Sequence, residues 1–440
     1  MKQTRQGLLA AAVVIATAAS LTACSGPAAT TSGGATEGGD AATEVHMVLW
    51  NNEAGEAQKS WWVESAKLFG EAHPGVTIDV QTVQNEDYDG KLQNAMNAGD
   101  SPDIFLTRGG GKMYDQVKAG QVMDMNPYIT DELRTLIKPG YFEAMSYDGG
   151  LYAMPLSVVP TGIFYSKDLF AQAGITSEPT TLAELNEAVV KLKAAGITPI
   201  AVGGKDAWPA AYWYYMFVYR ECPIATLQES FKTYSFEDAC FIKAGEDLIE
   251  FRDTKPFQEG FLTTSAQQGA GSSAGLLANH KAAMEFMGAW EPAILQGLTA
   301  DGQPMADLGA FPLPSVEGAG GSQTAQMGGA SGYSCYVDAP KECVDFLAFI
   351  ASDRDRQVTQ YEAFGWPPVV QEVQEEIVTE EYMLHLIDGL NKADALYLML
   401  DSIYGQNVGN ALNQGAVEIL AGSGTPQSMI ELLKAAAAKE

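Results

Sequence analysis

Short stretches of this chain place indole, amide, carboxylate or guanidinium groups directly after segments that read as strands. Trp50-Asn51-Asn52-Glu53 follows the first apolar run, Asn85-Glu86 follows the second, and Arg108 stands in "TRGGGK" after the third. Further on, "GGKDAWP" carries Lys205, Asp206 and Trp208, "FMGAWEP" carries Trp290 and Glu291, and "FGWPP" carries Trp366. Flat aromatic rings stack on the C–H faces of a cyclic polyol, and planar amides and carboxylates take hydroxyls in pairs. In open parallel sheets, ligands bind at the C-terminal ends of the strands, where all of these residues but Trp366 fall. Each has a structural alternative: Asn52 and Asn85 also suit helix N-caps, and a tryptophan also suits a core.

The residues for bond-breaking chemistry are less organised. No nucleophile elbow and no HExxH is present. "TRGGGK" lacks the P-loop spacing and the Ser/Thr after its Lys. Its glycines let backbone approach closely or begin a helix. A glycosidase needs only two carboxylates at a set separation, and 55 acidic residues leave that reading open. The histidines, His46, His73, His280 and His385, are scattered, so no metal site and no cofactor is expected.

Cysteine usage is more informative. Cys222, Cys240, Cys335 and Cys343 form an even set, which in an exported chain favours disulfides over zinc, whose ligand spacings they do not match. Of three pairings, the shortest loops favour Cys222–Cys240 and Cys335–Cys343. Cys24 stands apart. Lys2 and Arg5 precede an apolar run, Gly7 to Ala19, too short for the about 20 residues a membrane span needs. Leu21-Thr22-Ala23-Cys24 resembles a bacterial lipobox, in which the cysteine sulfur takes a lipid and the chain is cut before it. Residues 1–23 then form a signal peptide, and 24–44, rich in Gly, Ala, Thr and Ser, a lipid-anchored flexible tether.

The net charge of −29 becomes about −31 without residues 1–23, since Lys2 and Arg5 are the only charges lost. Such a surface repels nucleic acid and suits a neutral ligand.

The elements that must position these groups alternate. Val45–Trp50 reads as a strand. A helix follows with Trp62, Val63, Ala66 and Phe69 as its stripe, stopped by His73-Pro74-Gly75. Val76, Ile78 and Val80 alternate as a second strand; Tyr88, Leu92, Ala95 and Met96 mark a second helix; "PDIFL" is a third strand. This β-α-β-α-β order predicts a largely parallel sheet covered by helices. A second unit follows. Its clearest element is a helix with a Thr181/Glu184 capping box and a stripe of Leu182, Leu185, Val189 and Leu192, leading to the strand "ITPIAVGG". In "DAWPAAYWYYMFVYR", half reads as helix core, with the Trp208 end at the surface. Some 400 residues after the leader call for two lobes.

The run "VLWNNEAGEAQKSWWVESAKLFGEAHPGVTIDVQ" resembles the first unit of extracellular solute-binding proteins of sugar ABC importers. "GDSPDIFLTRGGGKMYDQVKAGQVMDM", "YAMPLSVVPTGIFYSKDLFAQAGI", "KAAMEFMGAWEP" and "LGAFPLP" fit the same family in order, over nearly the whole chain from Val45. The nearest resemblance is to actinobacterial oligosaccharide-binding lipoproteins, xylobiose-type included. It implies an α/β, two-lobe, periplasmic-binding-protein-like fold, each lobe a mostly parallel sheet flanked by helices. Lobe 1 would hold 45–155 and 315–363, lobe 2 156–314 and 364–440, with "MPLSV" and "AFPLPS" as crossings. It further implies a monomer without enzymatic activity, lipid-anchored at the extracellular face of a Gram-positive cell membrane. That monomer would hand a neutral oligosaccharide, with a lean to xylo-oligosaccharides, to membrane permease subunits. In the family a tryptophan at the position of Trp290 often stacks on sugar. Many relatives carry Asp where this chain has Ala289, which leaves Glu291 as a substitute. A surface glycoside-acting enzyme and a binder of a non-sugar ligand such as a peptide are the alternatives.

Overall fold

The computed structural model describes residues 44–439. The predicted leader, Cys24 and the tether up to residue 43 lie outside the described residues. Among those described, no helix is long and apolar enough to cross a membrane.

The strands run in chain order as β1 (Val45–Asn51), β2 (Val76–Thr82), β3 (Ile104–Thr107), a hairpin of β4 (Ser146–Tyr147) and β5 (Gly150–Leu151), β6 (Met154–Ser166), β7 (Thr198–Ala201), β8 (Ala282–Gly288), β9 (Leu308–Phe311), β10 (Gln326–Cys335) and β11 (Leu396–Tyr397). Helices α1 (Glu56–Ala72), α2 (Asn85–Ala98) and α3 (Gly110–Lys118) follow β1, β2 and β3 in turn, as the sequence pattern demands. On α1, Trp62, Ala66 and Phe69 are buried, but Val63 is 56% exposed. Val63 lies one residue, about 100°, round the helix from Trp62 and off the stripe that packs. The capping box predicted for the helix Leu182–Ala194 is present, with Thr181 and Glu184 bonding reciprocally. Its Leu185, Val189 and Leu192 are fully buried.

The sheet departs from expectation. β2-β1-β3 is parallel, and so is β7 with β8, but these groups are joined through antiparallel β10 and β6. The result is one mixed sheet, β2-β1-β3-β10-β6-β8-β7, with β9 beside β6 and β11 beside β10. β6 is the cause. Its thirteen residues are all buried. Met154 to Pro160 pair with β10, and Thr161 onward pairs with β8 and then β9. A strand that changes partner midway joins two helix-covered groups that local alternation reads as separate sheets. Pro155 in β6 cannot donate to a ladder, and the register with β10 slips opposite it, between Ser331 and Gly332. A side chain at Gly332 would lie 2.2 Å from Met154 O, so the slip needs glycine there.

Two apolar clusters flank this seam. The first joins β1, β3, α1 and α2 with Ala330, Tyr333 and the helix Glu342–Ser352. The second is built round the helix Trp208–Glu221, buried from Pro209 to Arg220. Helices and the sheet at β8, where Phe286 meets Tyr212 and Trp213, enclose it, so the expectation that half of it is core understates its burial. Leu313, Val316 and Met327 pack with this second cluster.

Both disulfides take the short-loop pairing, Cys222–Cys240 and Cys335–Cys343. Cys222–Cys240 closes a separation of 18 residues. Replacing that pair by alanine is expected to lower unfolding free energy by about 3 kcal/mol. A urea midpoint unchanged by the double substitution would show that the loop is no constraint.

Candidate ligand site

At the first cluster's end of the seam, three strand termini converge. β1 delivers Asn52, β2 delivers Asn85 at the start of α2, and β3 delivers Arg108. The Asn52 carboxamide lies 2.7 Å from Asn85 Oδ1, and Arg108 Nη2 donates to Asn85 Oδ1 at 3.0 Å. In the opposite amide orientation Asn52 instead donates to Glu53 Oε1 and accepts from Arg108 Nη2, both at 3.1 Å. Asp89 pairs with Arg108 and with Lys112, the latter at 2.8 Å. Burial alone would raise Asp89, but the two cations outweigh it and hold its carboxyl well below the ordinary range. Tyr88 secures the base, donating to Trp50 O at 3.1 Å and accepting from Leu106 N at 2.8 Å.

Glu53 lies beneath this network, 7% exposed. It accepts from Tyr333 on β10 at 3.0 and 3.1 Å and from Trp62 Nε1 at 3.2 Å. Burial pushes its carboxyl from 4.5 up to about 7, against the pull of these donors. Glu53 therefore anchors the Asn52 loop to β10.

At the second cluster's end, Ala207 turns the chain at φ 63° so that Trp208 opens its helix. Trp208 meets Trp290 edge to face, centroids 6.2 Å apart. Trp290 follows β8, and a side chain at Gly288 would lie 2.3 Å from its ring, so glycine lets the indole fold back over the strand end. Ala289 N donates to Pro160 O at 2.9 Å, which ties this corner to the partner change in β6. Trp366 stands beside the same point, since Val158 N donates to Pro367 O at 2.8 Å. All three rings are half-buried. Among the described residues, the Nε1 groups of Trp208, Trp290 and Trp366 are buried and have no acceptor.

The structure thus brings Asn52, Asn85 and Arg108 into one network, and Trp208 and Trp290 into one aromatic corner. The other sequence candidates lie outside these two groups. Asn51 is fully buried and accepts from Thr82 Oγ1 at 3.0 Å. Asp206 accepts from Ala266 N at 2.7 Å, and Lys205 is exposed. Exposed Glu86 accepts from Gln268 Nε2 at 3.3 Å. Glu291 is fully buried beside Glu285, and burial raises both carboxyls. The glycines of "TRGGGK" do begin α3, and the backbone they approach is the chain's own. Side chains at Gly110 and Gly111 would lie 2.9 Å from Ser402 O and 2.4 Å from Ile403 O.

That contact reveals a residue sequence reasoning missed. Half-buried Asp401 interacts electrostatically with Arg108 and accepts from Asn413 Nδ2 at 3.2 Å. It also bears on the buried hydroxyls of Tyr212, Tyr215 and Tyr219. Asp401 sits on a single helical turn, Leu400–Ile403, with no strand or periodic pattern before it to mark it.

The raised carboxyls fix a pH dependence. Between pH 4.5 and about 7 the unfolded chain has released the Glu53 proton and the folded chain still holds it. The Glu53 contribution to stability is therefore full below that window and is lost as pH rises through it, with Glu285 and Glu291 acting in the same direction. Urea midpoints should fall between about pH 5 and about pH 7.5, and Glu53→Gln should flatten the fall. A midpoint rising over this range would contradict the assignment.

Residues 53–357 match the family model described as bacterial extracellular solute-binding protein. An ABC transporter extracellular-binding protein of Pyrococcus horikoshii is 25% identical over 279 residues, 62% of this chain and 61% of that protein. The chain thus spans less than two thirds of that relative's length. The melibiose/raffinose/stachyose-binding protein of Bacillus subtilis is 23% identical over 69% of this chain and 70% of its own. Among solved structures, one from work on xylan utilization by Caldanaerobius polysaccharolyticus superposes with a TM-score of 0.80 at 23% identity. It covers 89% of this chain and 99% of that one.

Proposed function

The chain belongs to the bacterial extracellular solute-binding protein family, and on that premise we propose that it captures a neutral oligosaccharide and passes it unchanged to an ABC permease. The observation that carries this reading is the Trp208–Trp290 corner, with buried indole N–H groups that have no acceptor among the described residues. Half-exposed rings offer stacking faces, and N–H groups without acceptors favour a hydroxyl-rich partner. The network of Asn52, Asn85 and Arg108, with Asp401, supplies the polar counterpart. Two lobes meet at the seam in this reading, and β6 and β10 carry the chain between them. Closure about Pro160 brings the two groups onto one ligand.

The named ligands of relatives, melibiose, raffinose and stachyose, and the xylan context of the solved structure agree with an oligosaccharide and leave xylo-oligosaccharides as our preferred class. The protein acts outside the cytoplasm, held by lipid on Cys24. Calorimetry with xylobiose, xylotriose, chitobiose and raffinose, followed by chromatography of the recovered sugar, tests the proposal. Saturable binding with intact sugar is expected. Shortened product would establish an enzyme instead, and no heat with any sugar would remove the carbohydrate reading.

A further inference from the structure

A cavity of about 560 Å³ lies between the sheet edge at β9 and the helix Glu381–Lys392, where its Tyr382 packs against the small apolar cluster round Leu295 that Trp290 also touches. It shares no residue with the Asn52–Arg108 network or the tryptophans. Tyr165 in its wall is five residues past Pro160 on β6, about 16 Å along the strand. Its volume is that of a small-molecule site.

The walls combine a ring face with hydrogen-bonding groups of both signs. Half-buried Tyr382 supplies the ring face, while the Tyr165 ring is buried against Phe170, centroids 4.3 Å apart, and leaves its hydroxyl to the wall. Tyr165 OH donates to Glu178 Oε1 at 2.9 Å, and His385 Nδ1 lies 3.0 Å from Glu178 Oε2. Across the opening Lys167 Nζ donates to Glu381 Oε2 at 2.9 Å. These bonds leave capacity unspent. A carboxylate offers about four acceptor positions, an ammonium three donors, and a phenol oxygen still accepts after donating. Two carboxylates face one ammonium and one imidazole, a set that disfavours an anionic guest.

From this we propose that the cavity is a second carbohydrate site, taking a neutral mono- or disaccharide with its C–H face against Tyr382 and its hydroxyls on Glu178, Lys167 and His385. The proposal rests on the carbohydrate reading of the chain. Because its polar groups are engaged with one another, the site binds more weakly than the aromatic corner. It would hold sugar near the protein without enclosing it.

Methyl-labelled and indole-labelled protein separates the two sites by NMR. The methyl group of Ile175, 8% exposed in the cavity wall, reports this site, and the Trp290 indole N–H reports the aromatic corner. Xylobiose, chitobiose and melibiose are titrated separately to about 20 mM. The Trp290 signal is expected to saturate first, and the Ile175 methyl to move at sugar concentrations at least about tenfold higher. The Ile175 shift should persist in Trp290→Ala and vanish in Tyr382→Ala. Tyr382→Leu, which keeps apolar bulk against Phe164, should also abolish it. An Ile175 methyl that stays still while Trp290 titrates would overturn the second site and leave the first intact. A shift that survives both Tyr382 variants would overturn it equally. Silence at both reporters would remove the carbohydrate reading itself.

Discussion

Trp290→Ala is expected to weaken oligosaccharide affinity by about ten- to a hundredfold, or roughly 1–3 kcal/mol. Two losses combine. The stacking face disappears, and so does a buried indole N–H for which the described structure offers no acceptor. Trp290 also packs against both the second cluster and the smaller one round Leu295, so the alanine variant loses some stability as well. Trp290→Phe separates the effects, because it keeps a ring face and lacks the donor. Calorimetry should place it between wild type and alanine. Equal affinity in all three proteins would remove the indole from the site, whatever happens to stability.

The largest effect on folding is expected at Arg220. This guanidinium is fully buried and donates to four carbonyls: Pro314 O at 2.8 Å, Leu313 O at 2.9 Å, Ala325 O at 2.8 Å and Ser322 O at 3.1 Å. Burial lowers its pKa to about 10, still far above neutral pH, so it remains charged. It ties the helix Trp208–Glu221 to the irregular segment between β9 and β10. That segment has little sheet pairing of its own and depends on these bonds. Arg220→Met keeps much of the apolar stem but leaves the carbonyls without their donor. The expected cost is about 3–5 kcal/mol, with faster proteolysis between residues 313 and 325. Arg220→Lys should recover only part, because one ammonium cannot reproduce the planar fork. Unchanged urea midpoints and cleavage rates would show that other groups hold the segment.

Much of the fold was legible because its determinants are local. The order β1-α1-β2-α2-β3 follows from apolar periods read within single elements. The Thr181/Glu184 box needs residues only three apart, and the disulfides took the two shortest loops. Candidate binding groups were found because strand ends can be recognised in sequence. Whether those groups face a ligand was not legible. Glu53 and Asn52 are neighbours in one loop, yet Glu53 is buried by Tyr333, 280 residues away. The position of Asp401 opposite Arg108 depends on the close approach that Gly110 and Gly111 allow.

The sequence by itself determined the elements, their order, and the residue types offered at the strand ends, because hydrogen bonds within a helix turn and alternation along a strand are settled over a few residues. Only the tertiary structure decided that β6 changes partners at Pro160, that one mixed sheet replaces two parallel ones, and which carboxyls are buried. Strand pairing and burial are set by contacts between segments hundreds of residues apart, and no local period encodes which distant segment closes over a given side chain.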